Sequence, residues 1–209
     1  MARPSKRMDL KLLKTGRKHF IKNGISGLSV RQIAKEANVN LGMFNYHFGS
    51  KENFVRQLLQ SEYEKFFNAL NSEFEKEASK AGSKDKFHRL IVVFVNFVLK
   101  ERQFVATLLR DLLSGNKIVA KFIRQNAPRH IGLLIQAAAE GQAKGELRQE
   151  YPVEQVLILC LSVLGPPVLL SESLRRMKIA SSKSDLFHHL ASKEVLMLRT
   201  EMLMQGLRP

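Results

Sequence analysis

Cysteine is nearly missing from this 209-residue chain, in which Cys160 stands alone. A lone thiol excludes an internal disulfide framework and the paired-cysteine zinc sites, and it suits a reducing compartment. Long hydrophobic runs are missing too. The richest segment, VLILCLSVLGPPVLL, is interrupted by Ser162, Gly165 and the pair Pro166-Pro167, well short of the roughly 18 unbroken apolar residues that mark a membrane span. The opening MARPSKRMDLKLLK is basic with no apolar stretch behind it, so neither a secretory leader nor a membrane partner is expected, and the location expected is cytoplasmic. Acidic residues are scarce, 19 against 34 Lys and Arg, which leaves a net charge of +15.

That charge is unevenly spread. Residues 1–60 carry twelve basic and three acidic side chains, an asymmetry that points a polyanion at the N-terminal end. Hydrophobic residues make up 44% of the chain, enough for a core, and nearly every segment has helical periodicity. Leu10, Leu13, Phe20 and Ile21, with Leu12 flanking, predict a first helix over 8–23 that stops at Asn23-Gly24. Ser29-Val30-Arg31-Gln32 reads as a capping box opening a short helix, with Val30, Ile33, Ala34 and Ala37 on one face. Asn38-Val39-Asn40 makes a turn, Leu41–Phe48 forms a second short helix ended by Gly49, and Ser50 caps a long third one.

Two short helices joined by a tight turn, with another packed across them, describe a helix-turn-helix unit, whose second helix enters the DNA major groove. In NLGMFNYHFGSKENF the apolar Leu41, Phe44 and Phe48 share a stripe that can face inward. Gly42, Met43, Asn45, Tyr46 and His47 remain for other surfaces. Gly42 costs about 1 kcal/mol against alanine in a helix, so it needs a close neighbour, either another helix or a sugar-phosphate strand. Tyr46, His47 and Lys51 carry donors suited to phosphate oxygens; Asn45 suits an adenine edge and Met43 a thymine methyl.

The span SVRQIAKEANVNLGMFNYHFGSKENFVRQLL resembles the DNA-binding signature of the TetR (tetracycline-repressor) family of bacterial transcriptional regulators. The resemblance covers about residues 8–60 through the IAKEA helix, the recognition-helix glycine, the aromatic-His-Phe ending and the following Ser-Lys-Glu. It implies an all-α homodimer that binds a palindromic double-stranded DNA operator and releases it when a small molecule enters a larger C-terminal domain. By the same resemblance Tyr46, His47 and Lys51 are phosphate contacts, Ser29 and Arg31 approach the backbone, and Asn40, Leu41, Gly42 and Met43 meet bases or nearby phosphate. The sequence departs from many members at Leu41, Met43 and Asn45, and so offers fewer polar groups to base edges.

The domains expected are 1–50 for DNA binding, 51–80 as a linker helix with a hinge at Lys80-Ala81-Gly82-Ser83, and 81–209 for effector binding and dimerisation. Helices are expected over 84–100, 102–113, 116–141, 152–171 and 184–206, with Pro152 in a helix-first position. In the family the last two helices form the dimer bundle, which assigns 152–171 and 184–206, and Leu186, Leu190, Leu196, Met197, Met202 and Leu203 with them, to that role. Phe94, Phe97, Phe104, Phe122 and Leu161 are candidates for an apolar effector site, although any helical core needs such residues. Gly165-Pro166-Pro167 predicts a kink or break.

No nucleotide loop, metal-ligand spacing or catalytic constellation stands out, so neither an enzyme, a metal nor a cofactor is expected. Arg110-Asp111 reads as a surface pair and Cys160 as inert core. Two other classes remain beside a ligand-responsive repressor: an all-helical carrier of apolar ligands, and an oligomeric interaction protein without sequence-specific DNA binding.

Overall fold

The computed structural model describes residues 4–78, 85–181 and 184–209; the expected hinge at Lys80–Ser83 lies outside them. The described residues are all-α, without a strand: α1 (Pro4–Asn23), α2 (Val30–Glu36), α3 (Leu41–Phe48), α4 (Lys51–Ala78), α5 (Lys86–Lys100), α6 (Arg102–Leu113), α7 (Lys117–Ala143), α8 (Val153–Arg176), α9 (Asp185–Ala191) and α10 (Lys193–Leu207). They gather into two compact units. One holds the residues up to Glu64 together with Thr107–Gln125; the other holds Lys65–Ala106 and Asn126–Pro209.

The first unit is built on α1, and here the sequence pattern misleads. Leu10 is 65% exposed, whereas Leu12 and Phe20 are fully buried. The inward stripe is Leu12, Gly16 and Phe20, spaced by four. Gly16 carries no hydrophobic signal, yet it sits so close to the Phe54 ring of α4 that a Cβ would run into it. α2 begins with half of the expected capping box: the Gln32 N–H donates to Ser29 Oγ at 3.4 Å, without a return bond from the Gln32 side chain among the described residues. It ends in a complete Schellman motif: Val39 N–H donates to Ala34 O at 2.9 Å and Asn38 N–H to Lys35 O at 3.1 Å. Asn38 takes the left-handed conformation (φ 52°) that this motif requires.

The last two turns of α6 belong to the same unit and clamp the end of α1. Thr107 donates to Ile21 O at 3.2 Å, and Asp111 accepts the Ile25 N–H at 2.8 Å. Asp111 is buried, so Arg110-Asp111 is not the surface pair expected from sequence. Neighbours in the sequence gave no sign of a partner 86 positions away.

In the second unit α5 is amphipathic and buries Phe87, Leu90, Ile91, Val95 and Val98. Its buried Lys86 pairs with Glu140 of α7 at 2.9 Å and lies 3.4 Å over the Phe74 ring. α8 runs unbroken through Pro166 and Pro167. The expected break is absent; Leu164 and Val168 are buried on either side of the pair, while Pro166 is exposed. Pro152 is the N-cap of α8 rather than its first residue. The single helix expected over 184–206 is two helices: Ser192 adopts an extended conformation and caps α10 by accepting the Val195 N–H at 3.2 Å.

Candidate nucleic-acid interface

An eight-residue helix such as α3 cannot hold itself together in water; packing must do it. Phe44 and Phe48 are buried and stack with Phe54 of α4 at ring-centroid separations of 5.0 and 4.9 Å. Both ends are closed. Asn40 caps the start by accepting the Gly42 N–H at 2.8 Å. At the far end Asn53 donates to Phe48 O at 2.8 Å, Gly49 turns the chain at φ 68°, and Ser50 Oγ accepts the Asn53 N–H at 3.1 Å to start α4. Sequence reasoning missed Asn53; its place three residues after the capping serine was the available signal.

This scaffold turns the other side of α3 to solvent. Tyr46 is 80% exposed, and Asn40, Gly42 and Asn45 are exposed beside it. Leu41 is 38% exposed, so it belongs with this outer set and not with the inward stripe of Phe44 and Phe48. Met43 and Lys51 are half-buried, Ser29 is half-buried at the start of α2, and Arg31 is exposed one step further on. A Cβ on Gly42 would meet only its own cap oxygen at 3.3 Å. Among the described residues no neighbouring helix crowds that glycine.

His47 is placed differently from Tyr46. Its side chain is only 9% exposed, and Nδ1 lies 2.8 Å from Asp9 Oδ1 of α1. That approach is not aligned as a hydrogen bond, so Asp9 Oδ1 is buried without a hydrogen-bond partner, and the other ring nitrogen, His47 Nε2, is buried without one as well. The imidazole thus ties α3 to α1 and braces the Tyr46 ring edge-on at 5.2 Å. The phenol, not the imidazole, is the group presented.

The five residues proposed for an effector fall in both units, four in the second and Phe122 in the first. Phe94 and Phe97 close on Phe66, at 6.0 and 4.6 Å, with His130 against the same ring at 5.3 Å. Burial in this cluster lowers the His130 pKa to about 4. Phe104 is buried in the second unit, Leu161 lies exposed on α8, and Phe122 belongs to the first unit, edge-on to Tyr63 at 5.9 Å. Cys160 is buried and its thiol is pushed up to about 11, as desolvation of a thiolate demands.

The second unit also exposes apolar surface. Ile158, Leu159, Leu161 and Leu170 of α8 and Leu198 and Met202 of α10 are all exposed. By length and composition α8 could cross a membrane, and only 28% of its most apolar window is buried. Tyr151, Gln155 and Leu159 face Met202 and Gly206 across a groove of about 410 Å³.

Residues 12–58 match the family model described as bacterial regulatory proteins, tetR family. Over 192 residues the chain is 26% identical to the probable HTH-type transcriptional regulator YttP of Bacillus subtilis, covering 84% of each protein. It is also 26% identical over 154 residues to the HTH-type transcriptional repressor NicS of Pseudomonas putida, covering 73% of this chain and 71% of that one. Among solved structures, the transcriptional regulator FadR from Bacillus subtilis in complex with stearoyl-CoA shares the fold at a TM-score of 0.69 and 18% identity, over 95% of this chain and 99% of that one.

Proposed function

We propose that this chain, whose residues 12–58 match the model of the tetR family of bacterial regulatory proteins, is a member of that family: a cytoplasmic, homodimeric repressor whose α3 reads a palindromic operator. The observation that carries this reading is the division of α3 into two faces, with Phe44 and Phe48 buried and Tyr46 fully displayed. Tyr46, Lys51 and Arg31 hold the phosphate strands and fix register. Gly42 lets the helix backbone come close, and Asn45, Leu41, Met43 and Asn40 lie nearest the base edges. Fewer polar groups face the bases than in many relatives, so methyl contacts and groove shape carry a larger share of recognition.

A second copy covers the exposed apolar stripes of α8 and α10, and α9 with its exposed Leu186 flanks them. The dimer holds two α3 helices about 34–36 Å apart, one helical turn of DNA. A small apolar effector enters the second unit beside Phe94 and Phe97 and binds better to a dimer in which that spacing is wrong, which empties the operator. The acyl ligand of the FadR structure supports an elongated apolar molecule as the class to try first.

The test is a mobility shift of the full-length protein on duplex DNA across a salt series. Affinity should fall steeply with salt, and Tyr46→Ala with Lys51→Ala should weaken binding to all sequences alike. An apolar-ligand carrier or a pure interaction protein would show at most a low-salt shift that is indifferent to Tyr46→Ala and Lys51→Ala.

A further inference from the structure

α1 carries a charge pattern that the recognition surface does not use. Lys11, Lys14, Lys18 and Lys22 recur at intervals of three and four, and all four side chains are exposed, so they form one stripe along the helix. At its C-terminal end the stripe borders a groove of about 650 Å³ lined by Lys18, Lys22 and Asn23 of α1 and Gln32 and Lys35 of α2. The groove's one carboxylate, Glu36, lies 3.0 Å from His19 Nε2 and is outnumbered by the three lysines. None of the three lysines is in an ion pair with a described residue.

Gln32 matters here as well. Its backbone N–H caps α2 through Ser29, but its side chain makes no return bond to the cap among the described residues and lines the groove instead. Lys35 stands one turn after Arg31 on the exposed side of α2. The basic surface is therefore continuous with the backbone-contacting start of α2.

We infer that the α1–α2 groove is a second phosphate-binding surface for duplex DNA, holding the backbone beside the segment that α3 reads. This deepens the proposed function and rests on it. The chemistry fits a strand better than a protein partner. Lysine is a mobile, strongly hydrated point charge that takes a phosphate in many geometries, and an amide pair adds neutral donors without preference for sequence. No apolar anchor of the kind that centres protein interfaces lines the groove.

The experiment labels surface lysines of the full-length protein with an acetylating reagent, with and without a random-sequence duplex of about 40 base pairs, and reads each site by mass spectrometry. Lys18, Lys22 and Lys35 should be protected by DNA along with Lys51, while the exposed Lys117, Lys121 and Lys193 keep their labelling rates. In parallel, the triple variant Lys18→Gln, Lys22→Gln, Lys35→Gln should flatten the slope of log affinity against log salt by about 0.9 for each phosphate no longer neutralised. The same charge removed at Lys117, Lys121 and Lys193 should leave the slope unchanged. Protection of Lys51 without protection of the groove lysines would overturn the inference and leave the regulator reading standing. If wild-type protein shifts no duplex at all, the regulator reading itself fails.

Discussion

Phe44 and Tyr46 stand two positions apart on α3, one fully buried and the other 80% exposed. Substituting each by alanine should therefore do opposite things. Phe44→Ala removes a ring packed against Phe48 and Phe54, and truncating a buried phenylalanine costs about 3–5 kcal/mol. That is a large share of the roughly 5–15 kcal/mol that holds a domain together. Urea denaturation followed by circular dichroism, at one fixed protein concentration so that dimerisation does not shift the midpoint, should show this loss. Tyr46→Ala removes an exposed ring that meets the edge of His47, and such surface changes stay within about 0.5 kcal/mol. Its cost falls on DNA. A hydrogen bond to a charged phosphate is worth about 1.5–3 kcal/mol, or roughly ten- to hundredfold in affinity for each protomer. The reasoning is refuted if Tyr46→Ala destabilises the fold by as much as Phe44→Ala while DNA binding by the folded fraction is unchanged.

Other consequences follow from the packing. Asp111→Ala strips the buried Ile25 N–H of its acceptor, so it should cost about 1–3 kcal/mol, measured by thermal melting, with Asp111→Asn recovering part of the loss. Leu159→Glu combined with Met202→Glu puts charge on both exposed apolar stripes, and sedimentation should then find monomers if a second copy covers them. His130 has a pKa near 4 in the folded chain against 6.5 when unfolded. The unfolded chain therefore takes up a proton first, and stability fully present above pH 6.5 drains away, by up to about 3 kcal/mol, as pH falls from 6.5 toward 4. In His130→Phe that part of the pH dependence should vanish.

Local chemistry wrote most of the first unit legibly. Gly49 ends α3 and Ser50 opens α4 because turn and cap residues act on their immediate neighbours, and Phe44 with Phe48 declares the inward face at one turn's spacing. What stayed hidden depends on partners far along the chain. Leu10 looked like core because the pattern cannot see that Gly16 is the position pressed on Phe54. His47 lies against Asp9, 38 positions earlier, which nothing in its own neighbours announces. Ser192 was readable as a cap but lay inside an apolar period strong enough to conceal it. The proline pair predicted a kink or break, and α8 is continuous through it, with Leu164 and Val168 buried on either side.

Selection of binding sites from a random duplex pool with the full-length protein bears most directly on the claim that α3 reads DNA. A dimer presenting two copies of that helix should return a two-fold symmetric motif with half-sites about one helical turn apart, and Asn45→Ala should blur one position in each half. Recovery of unselected sequence, or of an asymmetric motif indifferent to Asn45, would contradict it.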